Sequence, residues 1–144
     1  MKKRRYSREI ALKILYQFEA SGRPIQEIIE NTFNHEKISE DIKNFVFELV
    51  QGTMDHLAEI DSQLSGIAMH WRVERMSAID RNIIRIALFE INHQQETPVN
   101  VIINEAIEIS KKYGDSKSFQ FVNGILDKAA KEIRKKPELS NVSG

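Results

Sequence analysis

No cysteine occurs among the 144 residues, which excludes disulfide staples, thiolate nucleophiles and cysteine-ligated metals. Glycine and proline are scarce, with six and three copies, so the chain has little of the punctuation that separates short strands. No apolar run approaches the roughly 18 residues needed to cross a membrane. The basic start, Met1-Lys2-Lys3-Arg4-Arg5, does not head a signal peptide, because Arg8, Glu9, Lys13 and Glu19 break up the apolar residues behind it. A cytoplasmic location is the expectation. Net charge is missing too: 21 bases face 21 acids, which removes any simple inference from overall basicity to a polyanionic ligand.

The charges that are present are segregated. Residues 1–20 carry six bases against two acids, residues 24–61 nine acids against two bases, and residues 128–136 five bases against one acid. Such a chain attracts a polyanion with one face and a basic partner with another. The length suits one domain. It is placed at residues 1–136, with a basic arm at 1–6, followed by a mobile tail at 137–144.

Apolar residues recur at helical spacing almost throughout. Ile10, Ala11, Ile14, Leu15 and Phe18 predict a first helix over residues 7–20, ended by Gly22 and Pro24. Ile25, Ile28, Ile29 and Phe33 mark a second. Ser39 caps a third, carrying Ile42, Phe45, Val46, Leu49 and Val50 and weakened by Gly52 near its end. Leu57, Ile60, Leu64 and Ile67 mark a fourth. Ser77-Ala78-Ile79-Asp80 has capping-box spacing and opens a fifth. Thr97 caps a sixth helix with Pro98 at its first position and Gly114 as its stop. A seventh carries Phe121, Val122, Ile125, Leu126, Ala129 and Ile133 and stops at Pro137. The β-branched run at Val99, Val101, Ile102 and Ile103 has no partner strand, so it is assigned to the sixth helix. The fold class is therefore all-α, with about seven helices.

No catalytic set assembles from these residues. His35, His56, His70 and His93 are scattered and lack metal-ligand spacing. Glu105 and Glu108 stand three apart on a helix, where solvated charge is the ordinary role. No enzyme activity, catalytic residue, metal or cofactor is expected.

The basic start suggests recognition instead. Residues 2–5 are continuously basic, and Arg5, Arg8, Leu12 and Tyr16 then fall on one helical stripe. Guanidinium groups suit phosphates, and an aromatic ring suits an unstacked base.

The second half carries more specific strings. Trp71-Arg72-Val73-Glu74-Arg75 is followed by Asp80-Arg81, Ile84-Arg85-Ile86-Ala87-Leu88-Phe89-Glu90-Ile91, Pro98, Val101-Ile102-Ile103-Asn104-Glu105-Ala106, and Phe121-Val122-Asn123-Gly124-Ile125-Leu126-Asp127. In this order, together with Ala11, Leu15-Tyr16 and Glu19 behind the N-terminal arginines, the chain resembles the NusB family of bacterial transcription antitermination factors over roughly residues 5–134.

The resemblance implies two three-helix subdomains plus a linking helix. It also implies binding to the single-stranded boxA element of ribosomal RNA leader transcripts. It implies pairing with the ribosomal protein NusE and joining RNA polymerase with NusA and NusG. The family's arginine-rich start falls on Arg4 and Arg5, with Lys3 beside them, and on Arg8; its RNA-facing tyrosine falls on Tyr16. The connection before the last helix brings Ser118, Gln120 and Phe121 to the RNA. Gln120 stands where some members have lysine, and Lys117 compensates. Asp80, with Glu74 as companion, is assigned to the NusE contact.

Two alternatives keep the fold. One is a helical protein-interaction module. The other is the RNA-binding domain type of ribosomal RNA cytosine methyltransferases, disfavoured because the chain ends at Gly144 and offers no cysteine nucleophile. Within the motifs, Trp71, Ile79, Ile86 and Leu126 are expected in the core. Asn104 and Asn123 are expected to bond between helices, and Gly124 to serve a close helix crossing. Arg81 and Arg85 are expected as surface charges paired with acids.

Overall fold

In the computed structural model, residues 2–35, 37–69 and 71–134 are described, and every regular element among them is helical. The elements are α1 (Lys2–Ser21), α2 (Ile25–His35), α3 (Glu40–Asp55), α4 (Leu57–Ile67), a 3-10 turn (Val73–Arg75), α5 (Ala78–His93), α6 (Val99–Tyr113) and α7 (Ser118–Ile133). The expectations for His70, for a stop at Pro137 and for a tail at 137–144 lie outside the described residues.

The punctuation acts largely as its chemistry dictates. The Ser39 hydroxyl accepts the Ile42 N–H at 3.4 Å, and the Ser77 hydroxyl accepts the Asp80 N–H at 3.1 Å. Each satisfies a donor that a helix start leaves unpaired. Gly22 ends α1 with φ of +69°, in the left-handed region that glycine enters without strain. Pro98 itself holds the cap position of α6, one residue away from the expected arrangement, and Val99 begins the helix.

α1 is longer than its apolar spacing predicts. The expected basic arm is its first turn and a half, because Arg5 and Arg8 find carboxylate partners that hold this segment against the bundle.

α1, α2 and α3 pack as one group and α5, α6 and α7 as another, with α4 linking α3 to α5 and α7. α1 and α3 also lie on α5, so the two groups share one continuous hydrophobic cluster. Ile10, Ile14, Leu49, Ile60, Leu64, Ile84, Leu88, Ile91 and Leu126 are fully buried within it. Each such side chain contributes about 1.5–3 kcal/mol of transfer free energy. Arg134, just beyond α7, donates to the backbone carbonyls of Glu90, Ile91, Gln94 and Thr97. It thereby satisfies the C-terminal carbonyls of α5, and its burial depresses its pKa. No described helix is long and apolar enough to cross a membrane.

Gly52 has a role the periodicity did not disclose. A Cβ at this position would collide with the Phe89 ring, so the glycine allows α3 and α5 to approach each other. Gly52→Ala is expected to destabilise the fold by about 1–3 kcal/mol through overpacking, read as a lowered urea midpoint. A variant as stable as the wild type would show that the ring moves aside freely.

Candidate nucleic-acid interface

The basic stripe of α1 divides into cations that hold the bundle together and cations that face outward. Arg8 is 5% exposed, and its Nε and Nη2 each donate to the Glu90 carboxylate at 2.8 Å. Its Nη1 lies 3.8 Å from Glu105. Glu90 is 1% exposed. A buried charge is tolerated only when paired and hydrogen-bonded, and this fork supplies both. The expected phosphate contact by Arg8 is therefore corrected: its guanidinium is consumed in tying α1 to α5 and α6.

Arg5 is half-exposed and forks onto Glu105, with two 2.9 Å bonds. These bonds outweigh the opposing effect of burial and hold the Glu105 carboxyl below the usual carboxylate range, while the Arg5 pKa is raised. Glu105 is thus buried and paired, and its helical neighbour Glu108 lies 3.5 Å from Lys111.

Facing outward are Lys3, Arg4, Lys13 and Tyr16, the last 41% exposed. The Arg4 guanidinium lies 3.9 Å from the centre of the Phe45 ring, a cation–π contact. Lys13 and Lys112 approach the Tyr113 ring at 5.9 and 5.3 Å. Glu9 accepts from both Lys112 and the Tyr113 hydroxyl. The Lys112 pKa is raised by that carboxylate, and the Tyr113 pKa is raised by burial and by the bond to Glu9.

The connection from α6 to α7 divides in the same way. Ser118 is buried, and its hydroxyl accepts the Asp115 N–H at 3.0 Å while donating to the Asp115 carboxylate at 3.3 Å. The same carboxylate accepts the Lys117 N–H at 2.9 Å. Gly114 leaves room for the hydroxyl, which a Cβ there would strike. Ser118 thus shapes the turn and is covered, contrary to its expected contact with ligand. Lys117 and Gln120 are exposed.

Phe121 is half-buried and packs edge-to-face with Trp71, the ring centres 5.8 Å apart and the planes at 73°. Trp71 departs from its expected core position. It lies 59% exposed on the connection after α4, where the described residues leave its ring largely uncovered. Ile86 and Leu126 are buried as expected, and Ile79 is partly so. Asn104 and Asn123 face outward instead of into a helix contact.

The expected partner face lies around the start of α5. Glu74 is exposed, with Arg72 at 3.9 Å. Asp80 is half-buried, and its Oδ1 is enclosed without a hydrogen-bond partner. Beside them runs a charge network. Arg81 binds Glu19 and donates to the carbonyls of Val73 and Met76, fastening the 3-10 turn. Arg85 forks onto Asp61 at 2.8–2.9 Å and reaches Glu19 at 2.6 Å. Burial opposes ionisation of Glu19, but Arg81 and Arg85 outweigh it and lower its pKa. In Arg85 burial is likewise overcome, by Asp61 and Glu19, and the pKa is raised. The pairing of Arg81 and Arg85 with acids is as expected, but both are mostly covered instead of on the surface. Among the described residues no three metal-ligating side chains converge.

A helical bundle that presents cationic and aromatic side chains on one set of surfaces and carboxylates on another is of the recognition class. The NusB family model matches residues 5–131. The chain is 42% identical over 137 residues to the transcription antitermination protein NusB of Solibacter usitatus, covering 92% of each chain. It is 37% identical over 131 residues to the protein of that name from Bacillus subtilis, covering 91% of this chain and 97% of that one. NusB of T. maritima superposes with a TM-score of 0.86 at 34% identity, covering 95% of this chain and 96% of that one. A crystal structure of the antitermination factors NusB and NusE in complex with double-stranded RNA superposes at 0.82 with 26% identity, covering 92% and 98%. The chain belongs to the NusB family.

Two outcomes test the division of charges. Arg8→Ala is expected to destabilise the fold by about 3–5 kcal/mol, because it strands the buried Glu90 carboxylate; a loss of RNA affinity with unchanged stability would contradict the structural role. Glu105 and Glu19 have depressed pKa values in the folded state, so their contribution is complete above the ordinary value of about 4.5 and is lost as pH falls through the folded value. Urea midpoints measured against pH should therefore drop in that acid range. Glu105→Gln should shallow the drop while lowering stability at neutral pH, and a profile parallel to the wild type would contradict the assignment.

Proposed function

We propose that this protein is a transcription antitermination factor that binds the boxA element of ribosomal RNA leader transcripts together with NusE, making RNA polymerase resist termination. The observation that carries this reading is the likeness, over nearly the whole chain, to NusB bound to NusE and RNA. RNA polymerase, NusA and NusG complete the assembly, in the cytoplasm where transcripts are made. The chemistry is recognition, with no bond broken and no cofactor used.

On this proposal Lys3, Arg4 and the exposed part of Arg5 take phosphates, and Tyr16 and Phe121 offer rings to unstacked bases. Lys117 and Gln120 extend the surface along the turn before α7. Arg8 and Ser118 hold α1 and that turn in place. Glu74 and Asp80 receive the basic ribosomal partner. Joint binding of RNA to both proteins strengthens the complex through shared contacts.

The test is fluorescence anisotropy with a short boxA RNA and a scrambled control, with and without NusE. Preference for boxA, strengthened by NusE and weakened by Tyr16→Ala, is the expected result. About four neutralised phosphates give a slope of log K against log salt near −3, from roughly −0.7 per phosphate on single strands. Equal or absent binding of the two RNAs with NusE present would leave a protein-interaction module.

A further inference from the structure

Gly124 stands in the interior of α7, where nothing among the described residues requires glycine. It is exposed, and a Cβ added there would meet nothing within 4 Å, so none of the described helices crosses closely above it. Its backbone is not in the left-handed region. A glycine at such a site weakens the helix relative to alanine, no described residue accounts for it, and a bare backbone admits the close approach of a ligand.

The surroundings indicate what approaches. Lys117, Phe121, Gly124 and Lys128 succeed one another at steps of four, three and four, a single stripe on α7. At one end of the stripe Phe121 meets Trp71. At the other the Lys128 ammonium lies 3.5 Å from the Ile67 carbonyl, at the end of α4. Gly124, between these two contacts, has no described residue above it. Trp71 shows most of its ring to solvent although its large apolar surface favours burial.

From this placement we infer a nucleotide-binding subsite for single-stranded RNA. One base stacks on the Trp71 ring, the sugar–phosphate chain lies against α7 at Gly124, and Lys117 and Lys128 take the flanking phosphates. Lysines at both ends of the stripe repel a basic protein and attract a polyanion, which decides between the two kinds of ligand. The inference rests on the RNA reading proposed for the protein and extends it to Trp71, Gly124 and Lys128.

Trp71 is the sole tryptophan of the chain, so its emission reports on this subsite directly. Titration of the whole protein with the boxA RNA is expected to quench that emission in step with the rise in RNA anisotropy. Trp71→Ala is expected to weaken RNA binding about fivefold or more, as loss of one stacked base does. Gly124→Ala and Gly124→Leu are expected to weaken it progressively, while Gly124→Ala melts no lower than the wild type because its helix is better formed. NusE binding by all three variants should be unchanged.

Normal RNA affinity in Trp71→Ala and Gly124→Ala, with Tyr16→Ala still impaired, would overturn this subsite and leave the antitermination reading standing. Loss of NusE binding instead of RNA binding would make the stripe a protein contact. Failure of the wild type to bind RNA would overturn both.

Discussion

The buried fork of Arg8 on Glu90 is the constraint to which the other parts of the bundle are fitted. It joins the first helix to the fifth in the middle of an apolar core, where each charge alone would be intolerable. Glu90 serves twice, since its side chain holds Arg8 while its backbone carbonyl accepts from Arg134 at the end of α7. Glu105 then receives Arg5 and stands near Arg8, which brings α6 into the same junction. Three helices of one group and one of the other thus meet at a small set of charges. Glycine at position 52 allows α3 to close on α5 beside them.

That arrangement explains the division of labour on the surfaces. A recognition protein loses affinity when its ligand must first order the side chains it meets. Here the turn before α7 is already fixed by Asp115 and Ser118, and the segment before α5 by Arg81 on the Val73 and Met76 carbonyls. The side chains left for ligands stand on supports that are already set. The face proposed for the ribosomal protein offers Glu74 and Asp80 beside acids already paired with Arg81 and Arg85.

The helices are largely legible in the sequence because amphipathic spacing and cap chemistry are local. Ser39, Ser77, Gly22 and Gly114 act where their neighbours in sequence predict. Local pattern does not disclose which charges find partners far along the chain. Arg8 and Lys3 look alike in sequence, but only Arg8 faces Glu90, 82 residues away. Trp71 departs from expectation for a related reason: hydrophobicity favours burial, but burial needs an element overhead, and none of the described elements covers its ring. Gly52 and Gly124 are alike in composition and opposite in circumstance, one under an aromatic ring and one under open space. Of the expected RNA residues, Tyr16, Lys117 and Gln120 face outward, Phe121 does so partly, and Ser118 is drawn into its own turn.

The sequence separation of the central ion pairs bears on how the protein is made. Arg8 meets a carboxylate 82 residues on, and Arg5 one 100 residues on. During synthesis α1 leaves the ribosome ahead of α5 and α6, so its charge partners are made only after α2, α3 and α4. At translation rates of about 5–20 residues per second, that interval lasts on the order of 5–20 seconds. During it, the elements that come to cover the apolar face of α1 are α2 and then α3. The N-terminal group of helices is therefore a provisional shelter for α1 until α5 arrives.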